Sequence, residues 1–242
     1  MDMSNKTLFP GNKGTWHGYD SYRFEVDGIE SIIVAADSPL KGNPWNWRAR
    51  FFNADPALDL AMLRHGVHLV HTDITDLAGG PEAMKRMNSF YEYLTRNLDF
   101  SQTPILESYS RGALPALNWG IRNPEKVAML ILDSPLCNLK TWPKSPFDRE
   151  LCRKAGVLAE DFSFIPEWNP VDNLDSLIEH QVPVAVIYEE KDNIIPVQDN
   201  AALLLERLKA GNSNVKAYSG NHGFSGDNIE DLVHSALQTL KK

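Results

Sequence analysis

Ser110 stands in Pro104-Ile-Leu-Glu-Ser-Tyr-Ser-Arg-Gly112, a short apolar run followed by Ser108-x-Ser110-x-Gly112 and then by residues at helical spacing. A serine on a sharp strand-to-helix turn can act as a nucleophile, because the turn lifts its hydroxyl clear of the backbone. Such a turn closes only when the residues two before and two after it are small. Ser108 and Gly112 meet that condition, with serine where the common pattern has glycine. The backbone at Ser110 is expected to be strained. The helix starting near Arg111 would aim unsatisfied N–H groups, that of Arg111 first, at a developing oxyanion. A serine capping a helix produces the same local sequence, so the nucleophile reading depends on partners further along the chain.

Two partners follow in the order serine, acid, histidine that suits a nucleophile on an open α/β sheet. Asp192 lies in Glu189-Glu-Lys-Asp-Asn-Ile-Ile-Pro196, directly after the apolar run 182–188. An acid at the carboxyl end of a parallel strand sits where such sheets place their sites. His222 follows the run 215–218 and is flanked by Gly220 and Gly223, which predicts an accessible loop. Together these residues would perform acyl transfer: Ser110 attacks a carbonyl, His222 carries the proton, and Asp192 fixes the histidine tautomer. Asp133, ending the run 127–132, is the rival acid.

The elements that must hold these residues alternate between strand and helix patterns, which predicts an α/β fold with a mostly parallel central sheet covered on both faces by helices. Strands are expected over 22–36 (two runs broken by Asp27-Gly28, a hairpin signal), 44–48, 67–72, 104–106, 127–132, 182–188 and 215–218. Helices are expected over 56–64, 81–97, 111–122, 198–210 and 228–240. Residues 138–169, rich in Pro, Trp and Phe, interrupt the rhythm and predict a small lid inserted into one domain spanning 1–242. Pro115, early in the helix after Ser110, is tolerable only near the helix start.

Composition narrows the partners. A net charge of −8 gives the chain nothing to gain from a nucleic-acid backbone or an anionic membrane. No apolar run reaches the ~18 residues of a membrane span. The first residues lack the basic-then-apolar pattern of a secretion signal. The chain as given is therefore expected to be soluble and cytoplasmic, or periplasmic or secreted had a leader been removed. Cys137 and Cys152 are too few for a disulfide scaffold; they read as two reduced thiols or, in an oxidising compartment, one bridge. His65, His68 and His71 straddle a helix end, a loop and a strand and do not share a face, so no metal is expected. No nucleotide-binding fingerprint occurs, and no cofactor is expected.

On these residues the chain resembles α/β-hydrolases of the prolyl-oligopeptidase-like and acetylxylan-esterase-like group, over roughly residue 22 to the C-terminus. Asn169-Pro-Val-Asp-Asn-Leu-Asp175 and Lys191-Asp-Asn-Ile-Ile-Pro196 match that group's habits. Pro44-Trp-Asn-Trp-Arg-Ala-Arg-Phe-Phe52 resembles a subgroup met among bacterial glycan-degrading proteins, in which this segment replaces the usual His-Gly-Gly oxyanion loop. The resemblance implies a serine esterase acting on a small acyl or methyl ester of a carbohydrate, with Ala49 or Arg50 as the second oxyanion donor beside Arg111. Alternatives are a small serine peptidase or amidase, or a binding protein on a hydrolase scaffold. Trp45, Trp47 and Arg48 are candidate substrate contacts, and Trp142 and Trp168 could also stack on sugar rings. Arg48, Arg50 and Arg111 would suit a substrate carboxylate, or instead pair with Glu107, Asp133 or another acid of the chain.

Overall fold

The computed structural model describes residues 8–219 and 226–240. Three antiparallel strands lead: β1 (Asn12–Trp16), β2 (Tyr19–Val26) and β3 (Ile29–Val34). Both connecting turns put two residues in left-handed conformations, His17-Gly18 at φ 47° and 91° and Asp27-Gly28 at 50° and 76°. That is the geometry a two-residue hairpin needs to match the twist of its strands. β1 escapes sequence reasoning because it is an edge strand with four of five residues exposed, so it carries no alternating apolar pattern.

The chain then alternates: β4 (Trp45–Arg48), α1 (Ala57–Arg64), β5 (His68–Thr72), α2 (Pro81–Asn97), β6 (Ile105–Tyr109), α3 (Ala113–Arg122) and β7 (Met129–Asp133). After β7 come α4 (Pro146–Lys154), the short α5 (Asp175–Glu179), β8 (Val184–Tyr188), α6 (Ala201–Ala210), β9 (Val215–Ser219) and α7 (Gly226–Thr239). The sheet order is β1-β2-β3-β5-β4-β6-β7-β8-β9, with every pair from β5 to β9 parallel. The order reverses direction between β4 and β6. Ligands of open α/β sheets bind beyond the carboxyl ends of the strands at such a reversal.

Both faces of the central strands are covered. Met129 and Ile131 of β7 pack beneath α1 and α7 with Met62, Leu232 and Val233. Leu130 and Leu132 face the opposite layer, which contains Phe90 of α2, Trp119 of α3 and Leu204 of α6. This two-sided burial is why β7 reads as an unbroken apolar run. β4 obeys the same rule with unusual residues. Trp45 and Trp47 turn to the α2–α3 side, their rings 5.3 Å apart and Trp47 5.2 Å from Trp119. Asn46 and Arg48 turn to the α1 side, where Asp59 and Glu107 meet them. Among the described residues no helix is long and apolar enough to cross a membrane.

Candidate active site

Tyr109 closes β6 in extended conformation (φ −125°, ψ 134°), and Ser110 follows at φ 52°. A left-handed backbone costs a non-glycine residue on the order of 1–2 kcal/mol. Its presence where sequence places a nucleophile is the mark of a strained elbow. A single 3-10 turn, Ser110–Gly112, leads into α3, so the α-helix starts two residues later than sequence suggests. Pro115 then falls in the first turn of α3, where its missing N–H breaks nothing. The small residues are needed: a Cβ on Gly112 would stand 3.1 Å from Arg50 Cβ and 3.6 Å from Ser108 Cβ. The Ser110 carbonyl accepts from Leu136 N–H at 3.1 Å, tying the turn to the loop after β7.

The β4 loop lies against this turn. Ala49 N–H donates to the Glu107 carbonyl at 3.0 Å as the last rung of the β4–β6 ladder. It therefore has no hydrogen to offer an oxyanion, and Ala49 is removed from the candidate donors. Arg50 N–H and Phe51 N–H have no acceptor among the described residues. The Arg50 nitrogen lies 3.7 Å from where a Gly112 Cβ would stand.

Three further expectations need correction. Trp45, Trp47 and Arg48 have no exposed surface and cannot meet a substrate. A parallel strand in mid-sheet is covered on both faces, so an aromatic strand there builds the core. Arg48 instead pairs with Glu107 and with Asp59, the latter at 3.0 Å. Burial opposes its charge, but the two acids outweigh that and raise its pKa. Burial and the Glu107 carboxylate push Asp59 well above the usual carboxylate range. Asp59 is thus held toward its neutral form beside the Arg48 guanidinium. The other two arginines are paired as well. Arg50 meets Asp76 at 3.2 Å, and burial and neighbouring Arg111 lower its pKa. Arg111 lies 3.6 Å from Asp148 and over the Trp142 ring.

Both acid candidates act on Tyr109, the residue before Ser110. Burial, and then Asp133, Asp55 and Asp192, raise the pKa of Tyr109, which places all three carboxylates within its field. Asp133 is fully buried at the end of β7. Asp192 sits in a turn beyond β8, its Oδ1 accepting from Ile194 N–H at 2.8 Å and Ile195 N–H at 2.9 Å. β8 and β9 run in parallel register as far as Tyr188 opposite Ser219. His222, three residues past Ser219, lies outside the described residues.

A cleft of about 390 Å³ opens over Ser110, lined by Phe51, Arg111, Leu136, Trp142, Asp148 and Ile195 among others. Segment 138–169 supplies Trp142 and Asp148. Sequence reasoning missed Phe51, Leu136 and Ile195 as lining residues; their one signal is position, each lying a few residues beyond a strand's carboxyl end. Trp168 is buried under Arg122, 3.9 Å from its ring, which leaves Trp142 as the tryptophan in the cleft. Another hollow, of about 220 Å³, is lined by Met129, Pro183 and Val184 at the opposite ends of the strands, away from Ser110. Cys137 and Cys152 are both free and buried; burial pushes both thiols up, Cys152 to about 12. Among the described residues no group of acids, histidines or cysteines could hold a metal.

A mostly parallel sheet, helices on both faces and a strained serine between β6 and α3 define the α/β-hydrolase fold, and this chain has it. Solved structures agree. An S-formylglutathione hydrolase of Staphylococcus aureus is 11% identical over 92% of this chain and 98% of its own, with a TM-score of 0.66. An esterase of Pyrococcus furiosus is 15% identical over 96% and 97%, with a TM-score of 0.62. A puromycin-hydrolysing peptidase of Mycobacterium tuberculosis is 12% identical over 92% of this chain but 40% of its own, with a TM-score of 0.74. No family model matches the chain, and no curated protein matches it by sequence.

Proposed function

We propose that this protein is a serine esterase that hydrolyses a small acyl or methyl ester of a carbohydrate, with Ser110 as nucleophile, His222 as general base and Asp192 as the orienting acid. The observation that carries this reading is the left-handed backbone of Ser110 at φ 52°, in a turn packed against the β4 loop and open to the cleft. Esterases among the proteins of like fold support it. Ser110 Oγ attacks the ester carbonyl carbon while its proton passes to His222. The tetrahedral oxyanion is held by the N–H of Arg111 and by the N–H of Arg50 or Phe51. Collapse expels the alcohol, which takes the proton from His222 and leaves an acyl-enzyme. Water, deprotonated by His222, attacks the acyl carbon, and Ser110 recovers its proton as the acid departs.

The carbohydrate is supported by the cleft itself, where Trp142 and Phe51 offer aromatic faces and Thr141, Lys144 and Asp148 offer polar groups. Segment 138–169 serves as the lid, carrying Trp142 over the cleft. The test is labelling with a fluorophosphonate probe, followed by a panel of acetylated and methyl-esterified glycans and an aminoacyl anilide. Labelling at Ser110 with release of acetate or methanol supports the proposal. Labelling at Ser110 with turnover of the anilide alone makes the protein a peptidase. Absence of labelling sinks the nucleophile assignment and leaves a binding protein on a hydrolase scaffold.

A further inference from the structure

The loop that would complete an oxyanion hole is organised from behind by a side chain that never reaches the cleft. Arg48 ends β4 with its side chain fully buried on the α1 side of the sheet. A guanidinium has five N–H donors in a fixed plane, and here each is used. Two on Nη1 go to carboxyl oxygens of Asp59 and Glu107. Nε–H goes to the Arg50 carbonyl at 3.3 Å, and the pair on Nη2 goes to the carbonyls of Phe51 and Ala54. Three carbonyls of one short loop therefore point at a single cation, which Asp59 and Glu107 hold still. The Arg48 carbonyl is itself the acceptor of His71 Nδ1–H at 2.8 Å.

This arrangement decides where the loop's hydrogens go. In a trans peptide the N–H of the next residue points opposite to the carbonyl. With the Arg50 carbonyl turned down to the guanidinium, Phe51 N–H is turned away from it. Phe51 takes φ 56°, a conformation that a bulky residue adopts only where its surroundings impose it. Phe51 lines the cleft together with Ser110, and the Arg50 backbone packs against Gly112, while the Arg48 guanidinium that holds their carbonyls is fully buried away from it.

We infer that Arg48 is a positioning residue for the oxyanion hole: by holding the carbonyls of Arg50, Phe51 and Ala54 it fixes the loop and presents the N–H of Phe51, which has no acceptor among the described residues, to the tetrahedral anion formed on Ser110. The inference rests on the proposal that Ser110 performs acyl transfer. Lysine would satisfy the two acids but lacks the fork that gathers three carbonyls, so it is not a conservative replacement here.

The experiment compares an activated ester with its thionoester in the wild type and Arg48→Lys. Donors placed for a carbonyl oxygen stabilise the larger, weakly accepting sulfur poorly, so the ratio of the two rates reads the oxyanion hole and not the fraction folded. Arg48→Lys is expected to lower kcat on the oxoester on the order of 10²-fold with KM little changed. The thionoester is expected to lose far less, so the oxo-to-thiono ratio collapses. Should Arg48→Lys not fold, Arg48→Gln combined with Glu107→Gln removes the cation and one of its two buried carboxyl partners together. Equal losses on both esters, an unchanged kcat, or failure of both variants to fold would overturn the assignment and leave Arg48 as scaffold. A wild-type protein inert toward both esters and unlabelled at Ser110 would instead overturn the underlying proposal.

Discussion

Replacing Ser110 by glycine and, separately, by alanine separates the chemistry of this position from its backbone strain. Both changes delete the hydroxyl, so neither variant should react with a fluorophosphonate or turn over an ester. Their stabilities should differ. Ser110 sits at φ 52°, where any residue with a Cβ suffers on the order of 1–2 kcal/mol from its own carbonyl. Glycine is relieved of that cost but loses about 0.5–1 kcal/mol more backbone entropy on folding. The net expectation is that Ser110→Gly is more stable than Ser110→Ala by about 1 kcal/mol. Unfolding entropy is about 2.1 cal/mol/K per residue, and the chain has 242 residues. The difference in Tm should therefore be about 2 °C, within reach of calorimetry or of urea unfolding followed by circular dichroism. An alanine variant that melts at or above the glycine variant would refute the strain argument, and with it the main structural support for an elbow at Ser110.

Further outcomes test the acid, the core and the thiols. Asp192→Asn should lower kcat on the order of 10³–10⁴-fold, whereas Asp133→Asn, fully buried at the end of β7, should show its effect mainly in stability. The reverse order in kinetic assays would move the acid to β7. His68 is buried and its pKa is lowered by burial from 6.5 to about 4. The unfolded chain then binds this proton first as pH falls, so the stabilisation is complete above about 6.5, is lost progressively between 6.5 and 4, and amounts to about 3 kcal/mol. Urea titrations at several pH values should show that slope in the wild type and a shallower one in His68→Gln. Cys137 and Cys152, buried and with raised pKa values, should resist a maleimide in the folded protein and react with it in urea; labelling of either in the native state would contradict their burial.

Much of this architecture is legible in the residues alone, because the signals involved are local. The β2–β3 hairpin needs two left-handed residues, and Asp27-Gly28 is a pair that tolerates them. β7 needs apolar residues on both faces, and 127–132 provides them. Ser110 stands out because a tight elbow admits only small neighbours, a demand met within five residues of chain. Other features depend on what each face meets, and only the tertiary structure decides that. Alternation along β4 separates Trp45 and Trp47 from Asn46 and Arg48, but local sequence does not say that both sides are covered. It is the insertion of β4 between β5 and β6 that buries them. Arg48 consequently meets Glu107 across the parallel pair and Asp59 from α1, residues 59 and 11 positions away. The choice between Ala49 and Arg50 as oxyanion donor has the same origin. Two adjacent N–H groups are chemically alike until the β4–β6 ladder consumes one of them, and a hydrogen bond between distant segments leaves no trace in either segment's own sequence.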